Sequence, residues 1–129
     1  MSKYEDYIAK ILESENIIYE REKTFPDMRS LYGQPLRFDF FISNIKINGK
    51  RIAIEYDSEI HFYNAFSVKN FSYRKECDRQ KNKYCLLHDI ALYRIPYFRI
   101  DQVKSFRDML NEDFLVKDIY FNDKIKRAK

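Results

Sequence analysis

Residues 36–57 read LRFDFFISNIKINGKRIAIEYD, and the organisation of the chain follows from them. Asn48-Gly49 between two β-rich runs is a strong signal for a tight hairpin. Leu36–Ile42 alternates as a strand, with Arg37, Asp39 and Phe41 on one face and Phe38, Phe40 and Ile42 on the other. Past the turn, Ile52, Ile54 and Tyr56 share a face, and Ala53, Glu55 and Asp57 share the opposite one. Working upstream, Tyr4, Tyr7, Ile8, Ile11 and Leu12 have the spacing of an amphipathic helix over 3–16, ended by Asn16. Ile17–Arg21 reads as a short strand. Thr24–Pro35, with two Pro and one of the two Gly, reads as a loop whose Arg29 and Gln34 can approach a ligand. Downstream, 58–71 reads as irregular and carries His61, 72–88 is charged and helical, and Ile90–Ile95 is a strand stopped by Pro96. A last helix is expected over 101–112, followed by a tail, 113–129, ending in KIKRAK. The order α-β-β-β-α-β-α predicts an α/β fold with a mixed sheet flanked by helices. Residues 1–112 form a single domain in this reading, and 113–129 form a basic tail packed on it or extending from it.

Composition agrees with a chain that folds alone. The 129 residues are 45% hydrophobic and 34% charged, which excludes a disordered chain of low hydrophobicity. No apolar run approaches the ~20 residues that span a bilayer, and MSKYEDYIAK lacks a signal-peptide core. The expectation is a soluble, cytoplasmic protein with no membrane partner. Abundant Lys, Ile, Asn, Tyr and Phe beside few Gly and Pro point to an AT-rich genome, bacterial or phage. The net charge of +4 and a pI of about 9.0 suit a polyanionic partner. With 11 Tyr and 11 Phe, the aromatic content of 17% supplies core, rings for base stacking, or a homodimer interface. Cys77 and Cys85 fall about 12 Å apart on a helix, too far for a bridge, and are expected as free buried thiols.

The polar residues that resist this packing scheme are acidic. A carboxylate in mid-strand must be exposed in a cleft, paired, or bound to a metal, because burying it alone is costly. Asp39 and Glu55, on adjacent strands, could share a hard cation such as Mg2+, or could pair with Arg37 and Arg51. Asp57, Glu59 and His61 follow closely, and His61 beside carboxylates suits general acid or base work. The charged helix carries Arg74, Lys75, Asp78, Arg79, Lys81 and Lys83, with Arg74, Asp78 and Lys81 on one face. That face binds phosphate, or it is a solvated face with an internal Arg74–Asp78 pair.

Taken together, LRFDFFI (36–42), RIAIEYDSEIHF (51–62), RKECDRQKNKYC (74–85) and IALYRIPY (90–97) resemble a small PD-(D/E)XK nuclease. The branch most similar is that of the very-short-patch-repair-like endonucleases, including the EDxHD homing endonucleases. The resemblance covers residues 2 to about 97 and implies a restriction-endonuclease-like core and a Mg2+-dependent DNA endonuclease, with Mn2+ substituting. It assigns Glu5, Asp39 and Glu55 to the metal, and those three with His61 and Lys81 to catalysis. Asp57 and Asp78 support the site, and Arg37, Arg74, Lys75, Arg79 and Lys83 contact double-stranded or branched DNA. Two positions depart from the pattern: Asp57 stands where the plain motif has Lys, and Ser58 where Gly usually follows. The alternatives within the same fold are a catalytically degenerate nucleic-acid-binding module and a dimeric Holliday-junction resolvase.

Overall fold

In a computed structural model, residues 3–59 and 68–124 are described. The hairpin at Asn48-Gly49 joins β2 (Pro35–Ile47) to β3 (Lys50–Asp57), with Ile47 paired to Lys50. Both turn residues adopt positive φ, 51° at Asn48 and 78° at Gly49, which matches the twist of the flanking strands. A Cβ at Gly49 would meet no atom within 4 Å, so its requirement is conformational rather than steric crowding. Gly49→Ala is therefore expected to destabilise by about 1 kcal/mol, read as a lower urea midpoint with unchanged slope.

The full sheet runs in the order β1-β2-β3-β4, where β1 is Tyr19–Arg29 and β4 is Ile90–Pro96. The first two pairings are antiparallel and β3 pairs β4 in parallel, so the sheet is mixed. A parallel pair cannot be joined by a tight turn, and α2 (Val68–Leu87) makes the crossover. The helix α1 (Lys3–Ser14) covers one face, burying Ile8, Ile11 and Leu12 against Phe40, Ile42, Ile52 and Ile54. On the other face Phe38, Phe41, Ala53 and Leu92 pack with Cys85 of α2. The stripe that α2 turns inward is mostly polar: Asp78, Asn82 and Cys85 are buried at i, i+4 and i+7. Both cysteines are free, as their helical separation requires, and Cys85 is buried whereas Cys77 is only half-buried. No helix among the described residues is long and apolar enough to cross a membrane.

Several boundaries differ from the sequence reading. Residues 24–29 are strand rather than loop, because Phe25 packs edge-on against Phe38 and Phe41 and Met28 is buried. Pro26 is tolerated there because β1 is an edge strand, and the register shifts between Thr24 and Arg29. Residues 43–47 continue β2 with an irregular register, past Ile42 where the sequence reading ended the strand. The expected helix over 101–112 is replaced by a 3₁₀ turn, Tyr97–Gln102, and a single α turn, α3 (Phe106–Met109), whose N-cap is Ser105. Residues 113–124 lie on the domain. Val116 N–H donates to the Leu92 carbonyl at 2.9 Å, Leu115 bridges Tyr93, and α4 (Phe121–Lys124) packs on α2. The free edge of β4 is thereby covered.

Candidate active site

Strand register builds the site. Arg21 pairs Phe40 and Lys23 pairs Phe38, which sets Glu22 opposite Asp39. Phe40 pairs Ile54, so the next position sets Asp39 opposite Glu55, and Glu55 pairs Arg94. A single row, Glu22, Asp39, Glu55 and Arg94, thus crosses all four strands. At this row the backbone ladder gives way to side chains. Asp39 N–H donates to Glu55 Oε2 at 2.9 Å, and Tyr56 N–H donates to Asp39 Oδ2 at 2.8 Å.

The same row is where β2 turns over. Leu36 and Phe38 belong to the α2-side core, whereas Phe40 and Ile42, of the same parity, belong to the α1-side core. Facing this reversal in β1, Glu22 holds φ at +55°, a left-handed conformation that disfavours a side chain. Glu22→Gly relieves that conformation and removes one of three crowded negative charges. It should stabilise the metal-free protein by up to about 1 kcal/mol, seen as a higher Tm in EDTA.

From α2, Lys81 Nζ forms an ion pair with Glu55 Oε1. Burial alone would raise the Glu55 carboxyl, but Lys81 and then Arg94 outweigh it and hold Glu55 below the ordinary glutamate range. Burial would likewise lower the Lys81 ammonium, and the Glu55 and Asp39 carboxylates outweigh it, so Lys81 stays charged. Asp39 goes the other way. Its burial, and then the charge and hydrogen bonding of Glu55, push it well above the ordinary aspartate range. The carboxylate oxygens of Glu5, Glu22 and Asp39, supplied by α1, β1 and β2, lie within 4.8 Å of one another. This all-oxygen donor set fits a hard divalent cation, which would neutralise the crowded charge. Beside it opens a cleft of about 510 Å³, with Glu22, Arg37, Asp39, Tyr73, Arg74 and Lys81 among its lining residues.

Behind the cleft lies a second polar assembly. Arg94, fully buried, donates through Nη1 to Asp57 Oδ1 at 2.9 Å and through Nε to Asn82 Oδ1 at 2.8 Å. Asp78 Oδ1 is 3.5 Å from the same Nη1, and Asn122 of α4 donates to Asp57 Oδ2 at 2.9 Å. Paired and hydrogen-bonded in this way, the buried charges are compensated.

The residues singled out in the sequence therefore separate. Glu5, Asp39, Glu55 and Lys81 come together. Asp57 and Asp78 converge on Arg94, with Asp78 also lining the cleft. Neither Arg37 nor Arg51 pairs with the two strand carboxylates; Arg51 lies over the Phe25 and Phe41 rings. Asp78 pairs with Arg94, and Arg74 stands exposed at the cleft wall. Lys75 and Arg79 both pair with Asp123 of α4, at 3.0 and 2.9 Å, and Lys83 is exposed. His61 lies outside the described residues. The sequence reading passed over Glu22, because it ended the first strand at Arg21, one residue short, and the place of Glu22 depends on the register of that strand's continuation. It also passed over Arg94, although an arginine inside the apolar run IALYRIPY signals a buried acidic partner. Compared with protein-family models, curated proteins and solved structures, the chain gives no match.

Proposed function

We propose that the chain is a cytoplasmic, divalent-cation-dependent DNA endonuclease with a restriction-endonuclease-like core, as its resemblance to the PD-(D/E)XK nucleases implies. One observation carries the reading. Asp39, Glu55 and Lys81, from two adjacent strands and the crossover helix, meet where the β2–β3 ladder gives way to side chains, beside an open cleft. The motif's lysine position holds Asp57 here, yet an ammonium still stands at Glu55, brought by Lys81 of α2.

Phosphodiester hydrolysis requires charge to be stabilised on a phosphorane whose negative charge grows. Glu5, Glu22 and Asp39 would hold Mg2+ or Mn2+, which when bound supplies a Lewis acid for a phosphoryl oxygen and a more acidic water. Lys81 offers an ammonium whose remaining hydrogens are available to a non-bridging oxygen of the scissile phosphate. Glu55 keeps that ammonium charged and aimed, and its second oxygen holds the Asp39 backbone in place. Arg37 and Arg74, on the cleft walls, are set to grip the phosphates on either side.

Cleavage of supercoiled plasmid tests the proposal. Nicking or linearisation in Mg2+ or Mn2+, absent in EDTA and reduced at least a hundredfold by Lys81→Ala, is expected. Metal-dependent cleavage that Lys81→Ala leaves intact would place the chemistry elsewhere. A protein that binds DNA and cleaves neither plasmid nor branched substrates would be a binding module.

A further inference from the structure

The β1–β2 hairpin ends in Leu31 and Tyr32, which are 65% and 80% exposed, the two most exposed large apolar side chains of this hairpin. The turn that carries them is tightly built. Ser30 N–H donates to the Gln34 carbonyl at 2.9 Å, and the buried Ser30 Oγ accepts from Gln34 N–H at 3.1 Å. Arg29 then clamps both sides of the turn, donating to the Pro26 carbonyl at 3.0 Å and the Gly33 carbonyl at 2.9 Å. A rigid support therefore holds out two apolar groups whose exposure contributes nothing to folding. The Tyr32 ring lies 6.0 Å from the ring of Tyr73, and Tyr73 lines the candidate active-site cleft. Arg37 and Arg74 line the same cleft as Tyr73, Arg29 sits at the base of the turn, and among the described residues none of the three has a carboxylate partner. An exposed ring beside uncompensated guanidinium groups is the combination that holds a nucleic acid strand by its phosphates and stacks its bases.

We propose that Leu31 and Tyr32, with Tyr73, form a stacking platform for an unpaired base next to the cleft. The preferred substrate is then duplex DNA interrupted by unpaired nucleotides rather than continuous duplex. This rests on reading the cleft as a DNA site, so the test is made without catalysis. Fluorescence anisotropy in EDTA would compare a continuous duplex with a duplex of equal length carrying a four-thymine bubble. Equal phosphate number keeps the electrostatic contribution nearly the same. The native protein should bind the bubble about tenfold more tightly, the scale of stacking one base on an aromatic ring. Tyr32→Ala should bring the two affinities within about twofold while leaving duplex binding unchanged, and Tyr32→Phe should restore the preference. Equal native affinities, or a preference that survives Tyr32→Ala, would overturn the platform and leave the nuclease reading standing. Failure to bind either DNA, in EDTA and equally in Ca2+, would overturn both. Concentration-dependent self-association lost in Tyr32→Ala, with DNA affinities unmoved, would assign the tip to a protein interface instead.

Discussion

Asp39→Asn is expected to lower metal-dependent plasmid cleavage by about a thousandfold or more while the protein remains folded. Asparagine keeps the shape and can still accept from Tyr56 N–H, the bond that Asp39 Oδ2 now accepts at 2.8 Å. What it removes is the charge on which Glu5 and Glu22 also converge. The stability of the same variant should move in the opposite direction. The folded protein holds the Asp39 carboxyl well above its ordinary range, through burial and then Glu55, so keeping it ionised opposes folding. That penalty is absent below the unfolded pKa and grows as pH rises toward the folded value. In EDTA at neutral pH the asparagine variant should melt higher than the native protein, and the difference should shrink in acid. A variant that melts lower at neutral pH, with its cleavage intact, would show that Asp39 is an ordinary buried carboxylate.

Arg94→Met should cost about 3–5 kcal/mol, a large part of the stability of a domain this size. The substitution leaves the volume nearly filled but strands the buried carboxylates of Asp57 and Asp78, which now share one guanidinium. It also removes the acceptor's partner at Asn82 and so loosens the tie to Asn122 of α4. Asp57→Asn should cost less, because the amide oxygen still accepts from Arg94 and Asp78 still balances the charge, and what is lost is the bond from Asn122, whose NH2 then faces the new amide NH2. Urea unfolding of the two variants reads the difference directly. Equal losses would mean that the carboxylates, rather than the arginine, organise the assembly.

These two residues mark what the sequence could and could not convey. Asp39 was legible because a carboxylate in mid-strand must be exposed in a cleft, paired or bound to a metal, and local pattern is enough to expose it. The hairpin was legible for a similar reason, since Asn48-Gly49 leaves few other conformations. Lys81 could be placed on a helix face, but its meeting with Glu55 depends on how the crossover lays α2 on the sheet. Glu22 required more again. Its position opposite Asp39 follows from a long edge strand whose Pro26 imitates a loop, and from a positive φ that no residue type announced. The short helical turns after Pro96 were hidden because they are ordered by what they cover, the α1-side core, the β4 edge and α2, rather than by a periodic apolar face of their own.

Cation binding by the metal-free protein reads the candidate site without requiring the right DNA. A Mn2+ titration by calorimetry, with melting followed in parallel, should give saturable binding to the native protein and a Tm that rises with Mn2+ concentration. Asp39→Asn and a Glu5→Gln, Glu22→Gln double variant should each lose most of that binding while remaining folded. Native protein that shows no saturable binding, or variants that bind Mn2+ as the native protein does, would contradict the assignment of this carboxylate cluster as the metal centre.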